Sequence, residues 1–309
     1  MEDKNLNNIN NNQSIWSTST VNIGKEIGRG SFGVVCGVVH KETGRRAALK
    51  SLNKSLLNEE YINNEIEIMK NASSLNHPNI VILFGVEQTP TNTNIYMERC
   101  TETLGDLIAN FRDSKPSTKS VMRQMFAGVD ALHISGIFHR DLKPTNVLID
   151  QNGLVKIADF GLARKYIVED VEVQFSQLLG SKCYAPPEAF TNLLWSGPAY
   201  DVWSCGISMF EYSTGKVLWA LPLKGDERYD SFYSNNLNNE MWEGVWNEME
   251  KSEKAFLLQC LDVDPEKRIS TSSALRHAFL KKRKESAKSR KRSTAHDEDL
   301  DVAPPSKRA

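Results

Sequence analysis

Gly28-Arg29-Gly30-Ser31-Phe32-Gly33, continuing at once into Val34-Val35-Cys36-Gly37-Val38-Val39, is the stretch on which the fold turns. A Gly-x-Gly-x-x-Gly serves two architectures, and the residues after the last glycine separate them. In a dinucleotide fold a helix starts there, and its N-terminus meets the pyrophosphate. Here a β-branched run starts instead, which favours a strand. The loop therefore joins two strands, and its glycines let the backbone close over phosphates without side-chain obstruction. Taken alone, the motif also reads as an ordinary glycine-containing hairpin.

Working outward, Val21 to Leu49 shows β-branched runs broken by glycines, the pattern of consecutive antiparallel strands. Residues 56–71 carry Ile62, Ile66 and Met69 at helical spacing, and Asn79 to Val86 is a short apolar run that reads as a buried strand. Beyond about Leu104 the amphipathic stretches 117–134, 198–214 and 252–262 predict helices. The expected fold is α+β in two lobes, a small β-rich one with one main helix and a larger, mostly helical one.

The chain of 309 residues is long enough for one such bilobal unit with ragged ends. Its 40% hydrophobic and 25% charged residues are an ordinary globular balance that decides nothing about function. The net charge of -1 hides an asymmetry, because residues 281–292 hold eight Lys or Arg against Glu285 alone. The body without that segment is acidic, so direct nucleic-acid binding is not expected except through the basic tail. Cys36, Cys100, Cys183, Cys205 and Cys260 are scattered, with no zinc or redox spacing, and read as reduced thiols of an intracellular protein. No apolar run approaches the roughly 20 residues of a membrane helix. Residues 1–20, rich in Asn, Ser and Thr, read as a disordered arm, and 281–309 as a basic disordered tail.

About twenty residues past the glycine loop, Ala47-Ala48-Leu49-Lys50 ends a strand-like run, where a lysine reaches phosphates held under the loop. His139-Arg140-Asp141-Leu142-Lys143-Pro144-Thr145-Asn146 comes in the second quarter of the chain's remaining length, and Asp159-Phe160-Gly161 closes a strand-like run eighteen residues after Asp141. With these segments the chain resembles the eukaryotic protein kinase family, serine/threonine type, over about residues 22–280. The resemblance implies a domain over 21–280, with a small lobe at about 21–97, a hinge at about 98–103 and a large lobe at about 104–280. It implies ATP and Mg2+ as cofactors and protein substrates, with an activating kinase or regulatory subunit among the partners.

By the same resemblance Asp141 orients or deprotonates the attacking hydroxyl, Lys143 neutralises the transferring phosphoryl group, and Asn146 and Asp159 hold metal. Hard cations that bridge phosphates prefer such oxygen donors. Ile27, Gly28, Gly30, Gly33, Val35, Ala48, Lys50, Met97, Glu98, Cys100 and Leu148 line the nucleotide site, with Ile95-Tyr96-Met97-Glu98-Arg99-Cys100 leading into the hinge. The acidic partner of Lys50 is Glu65 or Glu67, which point to opposite sides of one helix. Glu65 borders the apolar stripe and is the choice. Arg268 is expected to pair with Glu188, although Pro186-Pro187-Glu188 stands where the family writes Ala-Pro-Glu.

Lys143, two residues after Asp141, resembles serine/threonine rather than tyrosine kinases. A pseudokinase that binds partners without phosphoryl transfer is the alternative, and a small-molecule kinase is disfavoured by the full segment between Asp159 and Glu188. In that segment Ser181 resembles a residue bonded near the catalytic Asp, and Tyr184 belongs to its anchored end. Tyr166 and Ser176 remain as switch candidates. Ser176, twelve residues before Glu188, resembles an activating phosphorylation position that would pair with Arg140. Lys281-Lys282-Arg283-Lys284 and Arg290-Lys291-Arg292 read as a two-part nuclear import signal, which predicts nuclear and/or cytoplasmic residence.

Overall fold

Alternation of side chains along the first strands builds the small lobe, because a strand presents successive residues to opposite faces. Strands β1 (Val21–Gly30), β2 (Gly33–His40), β3 (Arg46–Asn53), β4 (Leu83–Gln88) and β5 (Asn92–Met97) form one antiparallel sheet in the order β1-β2-β3-β5-β4. Ala48 and Leu52 of β3, with Ile95 and Met97 of β5, face the main core. Ala47, Leu49 and Tyr96 take the opposite face with Val21 and Val38. The computed structural model describes residues 15–281 except 31–32, 111–114, 192, 235–241 and 243–244, so the basic tail beyond Lys281 and the glycine-loop tip Ser31-Phe32 lie outside the described residues.

The disordered arm predicted for residues 1–20 is corrected at 15–20. Trp16 is 2% exposed and covers the outer face of the sheet. Its ring stacks on Phe84 at 5.4 Å and meets His40 edge-on at 5.2 Å. Thr18 donates its N–H and hydroxyl to Glu87, and the Thr20 hydroxyl donates to the Ile15 carbonyl. A single indole buries enough apolar area to offset the ordering of a short segment, which averaging over an Asn-rich composition hides.

Helix α1 (Glu59–Ser74) starts three residues later than periodicity suggests, because the Asn58 side chain caps it by accepting the Tyr61 N–H at 2.7 Å. After α1 the run that reads as a strand from Asn79 is strand only from Leu83. Its first part ties the lobes together instead. The Val81 N–H donates to the Ile157 carbonyl, the Ile157 N–H to the Asn79 carbonyl, and the Asn79 side chain to the Val155 carbonyl.

Beyond the hinge, β6 (Glu102–Thr103), β8 (Val147–Ile149) and β9 (Val155–Ile157) make a three-stranded sheet, while β7 (Ile137–Phe138) pairs with β10 (Arg164–Lys165). A hairpin of β11 (Ile167–Val168) and β12 (Val171–Glu172) lies in the next segment. The rest is helical: α2 (Leu104–Ala109), α3 (Thr118–Ile134), α4 (Gly197–Thr214), α5 (Glu227–Tyr233), α6 (Lys251–Cys260) and α7 (Thr271–Arg276). Helix α4 is buried along most of its length, from Tyr200 through Met209 and Phe210, and is the axis on which the large lobe is packed. The architecture is the two-lobed α+β arrangement expected from the sequence. Among the described residues no helix is long and apolar enough to cross a membrane.

Candidate active site

Three charged side chains from three elements meet where the lobes face each other. Lys50 projects from the core side of β3, and its Nζ lies 2.6 Å from Glu65 Oε1 and 2.7 Å from Asp159 Oδ1. On α1 the stripe of Ile62, Ile66 and Met69 turns Glu65 inward. Glu67 points away and pairs at the surface with Lys165, at 2.6 Å. Burial opposes the charge of Lys50, but the carboxylates of Asp159 and then Glu65 outweigh it and hold the ammonium above the usual lysine range. Burial raises Glu65 above the usual carboxylate range despite Lys50, whereas Lys50 overcomes burial to keep Asp159 below it. Direct contact between Lys50 and Asp159 is not readable from the sequence.

The loop after β7 is built on a single carboxylate. Asp201, fully buried on α4, accepts the backbone N–H groups of His139 at 2.7 Å and Arg140 at 2.9 Å, and it also contacts His133 Nε2 at 2.9 Å. Arg140 is thereby held at φ 69°, a left-handed conformation that side chains rarely adopt. In the sequence Asp201 reads only as the start of a structural helix. Nothing in its local pattern marks it as the anchor of a loop some 60 residues upstream.

Asp141, next in the loop, is surrounded by donors. Lys143 Nζ is 2.8 Å and Asn146 Nδ2 3.0 Å from Oδ2, and the Ser181 N–H donates to Oδ1 at 3.1 Å. Lys143 also donates to the Ser181 hydroxyl at 2.8 Å. Asn146 directs its amide nitrogen to the carbonyl and carboxylate of Asp141, which leaves its amide oxygen as an acceptor. With the Asp159 carboxylate this supplies oxygen donors suited to a hard divalent cation, so the residues fit the metal that the sequence implies. His139 Nε2 contacts the Ala158 carbonyl at 2.9 Å, linking this loop to the strand end that carries Asp159.

Part of the predicted adenine side is brought together by the sheet. Ala48 pairs with Met97 across β3 and β5, Val35 with Lys50 across β2 and β3, and half-buried Val35 and Leu148 pack against the core cluster holding Ala48 and Met97. Ile27 is exposed on β1. Burial, then Glu98, pushes the Cys100 thiol up to about 12. Gly28 and Gly30 lie in β1, and Gly30 faces Gly33 across the loop. Gly33 is fixed by the sheet itself, since a Cβ there would sit 2.4 Å from the Ser51 carbonyl oxygen.

Farther along, Arg268 grips Glu188 with both nitrogens, at 2.7 and 3.1 Å. Ser176 is exposed, whereas the Tyr166 hydroxyl is tied to the His133 carbonyl at 2.6 Å and the Tyr184 hydroxyl to Glu211 at 2.5 Å. Arg140, buried near Phe175 and Trp195, donates to the Gln177 carbonyl. Burial, then neighbouring Arg164, lowers its guanidinium to about 10.

A family profile described as "Protein kinase domain" matches residues 21–280. The chain is 33% identical over 269 residues to "Calcium-dependent protein kinase 33" of Arabidopsis thaliana, covering 84% of this chain and 50% of that protein. It is 33% identical to "Serine/threonine protein kinase OSK3" of Oryza sativa subsp. indica with the same coverage. "Calcium/calmodulin-dependent protein kinase type I" of Schizosaccharomyces pombe is 32% identical, with 85% of this chain and 78% of that protein covered. The chain thus spans about half the length of the first two. A glycine loop between two strands, a lysine held by two carboxylates and a donor-ringed aspartate are what the match covers, and the chain belongs to the protein kinase family.

Proposed function

We propose that this chain is an ATP-dependent protein serine/threonine kinase that uses Mg2+. The observation that carries the reading is the setting of Asp141, whose carboxylate is oriented by Lys143, Asn146 and the Ser181 N–H. A substrate hydroxyl hydrogen-bonded to Asp141 is aligned for attack on the γ-phosphorus and gives its proton to the Asp141 carboxylate, as the new O–P bond forms and the bond from the γ-phosphorus to the β–γ bridging oxygen breaks to release ADP. Lys143 lies beside it, where charge builds on the transferring group. Lys50, fixed by Glu65, neutralises the non-transferred phosphates. Bound Mg2+, held by Asp159 and Asn146, would supply charge neutralisation between phosphates. The protein's own contribution is positioning and preorganised charge.

Regulation by phosphorylation of Ser176 belongs to the same proposal. Its exposure makes it accessible to an activating kinase, and Arg140, with Arg164 nearby, supplies positive charge beneath that segment. A regulatory subunit, and nuclear residence directed by the basic tail, rest on sequence alone. Phosphopeptide mapping with Ser176→Ala tests phosphorylation at Ser176, and a reporter fused to residues 278–309 tests nuclear residence.

Transfer of labelled γ-phosphate from ATP to a generic protein substrate tests the central reading. Lys50→Met, Asp141→Asn and Asp159→Asn are each expected to lose about a hundredfold in rate, since one such electrostatic group contributes on the order of 3 kcal/mol. No transfer by the parent protein, or undiminished transfer by Asp159→Asn at limiting Mg2+, overturns it.

A further inference from the structure

We infer that Lys156 is a positioning residue for the nucleotide, acting through a buried ion pair with Glu98 that fixes the hinge. The inference rests on the ATP-dependent reading above. Lys156 lies in β9, three residues before Asp159, and takes no part in the triad of Lys50, Glu65 and Asp159. Its Nζ stands 2.9 Å from Glu98 Oε1, with the lysine side chain 6% and the glutamate side chain 20% exposed. A lysine this buried is retained only with a partner, because an unpaired ammonium away from water is strongly destabilising.

Glu98 is the first residue beyond β5, so the pair holds the connector between lobes. The Glu98 N–H donates to the Ile82 carbonyl at 2.8 Å, and its second carboxylate oxygen accepts the Ile82 N–H at 3.3 Å. At the far end the Thr101 N–H donates to the Ile149 carbonyl at 2.8 Å. Between these anchors the Glu98 carbonyl and the Cys100 N–H make no hydrogen bond to another described residue, which leaves them for the edge of a base. Lys156 itself is flanked by Val155 and Ile157, the two residues tied to Asn79 and Val81 of the small lobe.

One side chain therefore connects the peptide that meets the base with the strand that delivers Asp159 to the phosphates. Without it the hinge loses its only ionic tie to β9 among the described residues, and the base is no longer held in register with the metal-side carboxylate. A loosened hinge offers the base weaker hydrogen bonds, and the loss of about one net hydrogen bond corresponds to roughly a tenfold effect on nucleotide affinity.

The test uses the full chain and measures KM for ATP and kcat separately, alongside Tm. Lys156→Met is expected to raise KM for ATP about tenfold while kcat falls less than about threefold, and Lys156→Arg is expected to restore KM to within about twofold of the parent. Glu98→Gln should raise KM about fivefold, and combining it with Lys156→Met should add little to the single change. If Lys156→Met does not fold, Glu98→Gln and Lys156→Arg carry the same test. Variants that lower Tm but leave KM for ATP unmoved, or whose effects simply multiply, overturn the inference. Absence of transfer in the parent instead overturns the ATP-dependent reading, and the inference with it.

Discussion

Replacement of Arg268 tests how the end of the segment between Asp159 and Glu188 is fastened. The Arg268 side chain is fully buried. Besides its two bonds to Glu188 it donates Nε to the Asp262 carbonyl at 3.0 Å and Nη1 to the Ala199 carbonyl at 2.9 Å, and its guanidinium lies 4.9 Å from the Trp203 ring. A lysine retains one ammonium and at most part of this set, so Arg268→Lys is expected to cost about 2–3 kcal/mol, the value of one or two charged hydrogen bonds. Arg268→Met removes them all and leaves a largely buried Glu188 without a counter-charge, for about 3–5 kcal/mol. Against a total of about 5–15 kcal/mol for a domain, that is a large fraction. Adding Glu188→Gln relieves the unpaired carboxylate, so the double variant should be more stable than Arg268→Met alone. Urea unfolding monitored by tryptophan fluorescence, extrapolated linearly to water, measures all of these. Arg268→Met costing less than about 1 kcal/mol, or a double variant that loses the sum of the single losses, refutes the reasoning.

Trp16→Ala should destabilise the small lobe by about 3–5 kcal/mol, as for other buried aromatic truncations, and is checked by thermal unfolding beside the milder Trp16→Phe. Glu87 is held below the usual carboxylate range, because hydrogen bonds from Asn94, from the Thr18 N–H and from Tyr96 outweigh its burial. A depressed folded value means stabilisation that is complete above the unfolded value near 4.5 and lost as pH falls through the folded one. The Tm of Glu87→Gln should therefore trail the parent at pH 7 and converge with it as pH falls progressively below 4.5. Gly33→Ala should lower stability through the clash with the Ser51 carbonyl, and ATP KM measured on the folded fraction should rise with it.

Most of the machinery is legible in the sequence because its residues sit in short local patterns: a glycine loop leading into β-branched residues, an Asp and Asn within one loop, an Asp-Phe-Gly after a strand. The helical stripe through Ile62, Ile66 and Met69 also distinguishes Glu65 from Glu67 by face. The features that escape are non-local or carried by a single residue. Trp16 stands alone in a polar stretch, and its burial depends on Phe84 and Tyr96 arriving from β4 and β5. The run from Asn79 is apolar enough for a strand, but its backbone groups are taken by Val155 and Ile157 of the other lobe. Lys156 reads as an ordinary exposed lysine of an alternating strand until Glu98 is placed beside it.

Asp201 has a consequence for motion. Because its carboxylate, fully buried near the N-terminal end of the most deeply packed helix, holds the amides of His139 and Arg140, those two protons are shielded from solvent by the large lobe's core and not by a surface loop. Their hydrogen–deuterium exchange should track global unfolding of the large lobe, far slower than loop amides usually exchange. In this molecule the backbone that leads into Asp141 is thermodynamically part of the interior.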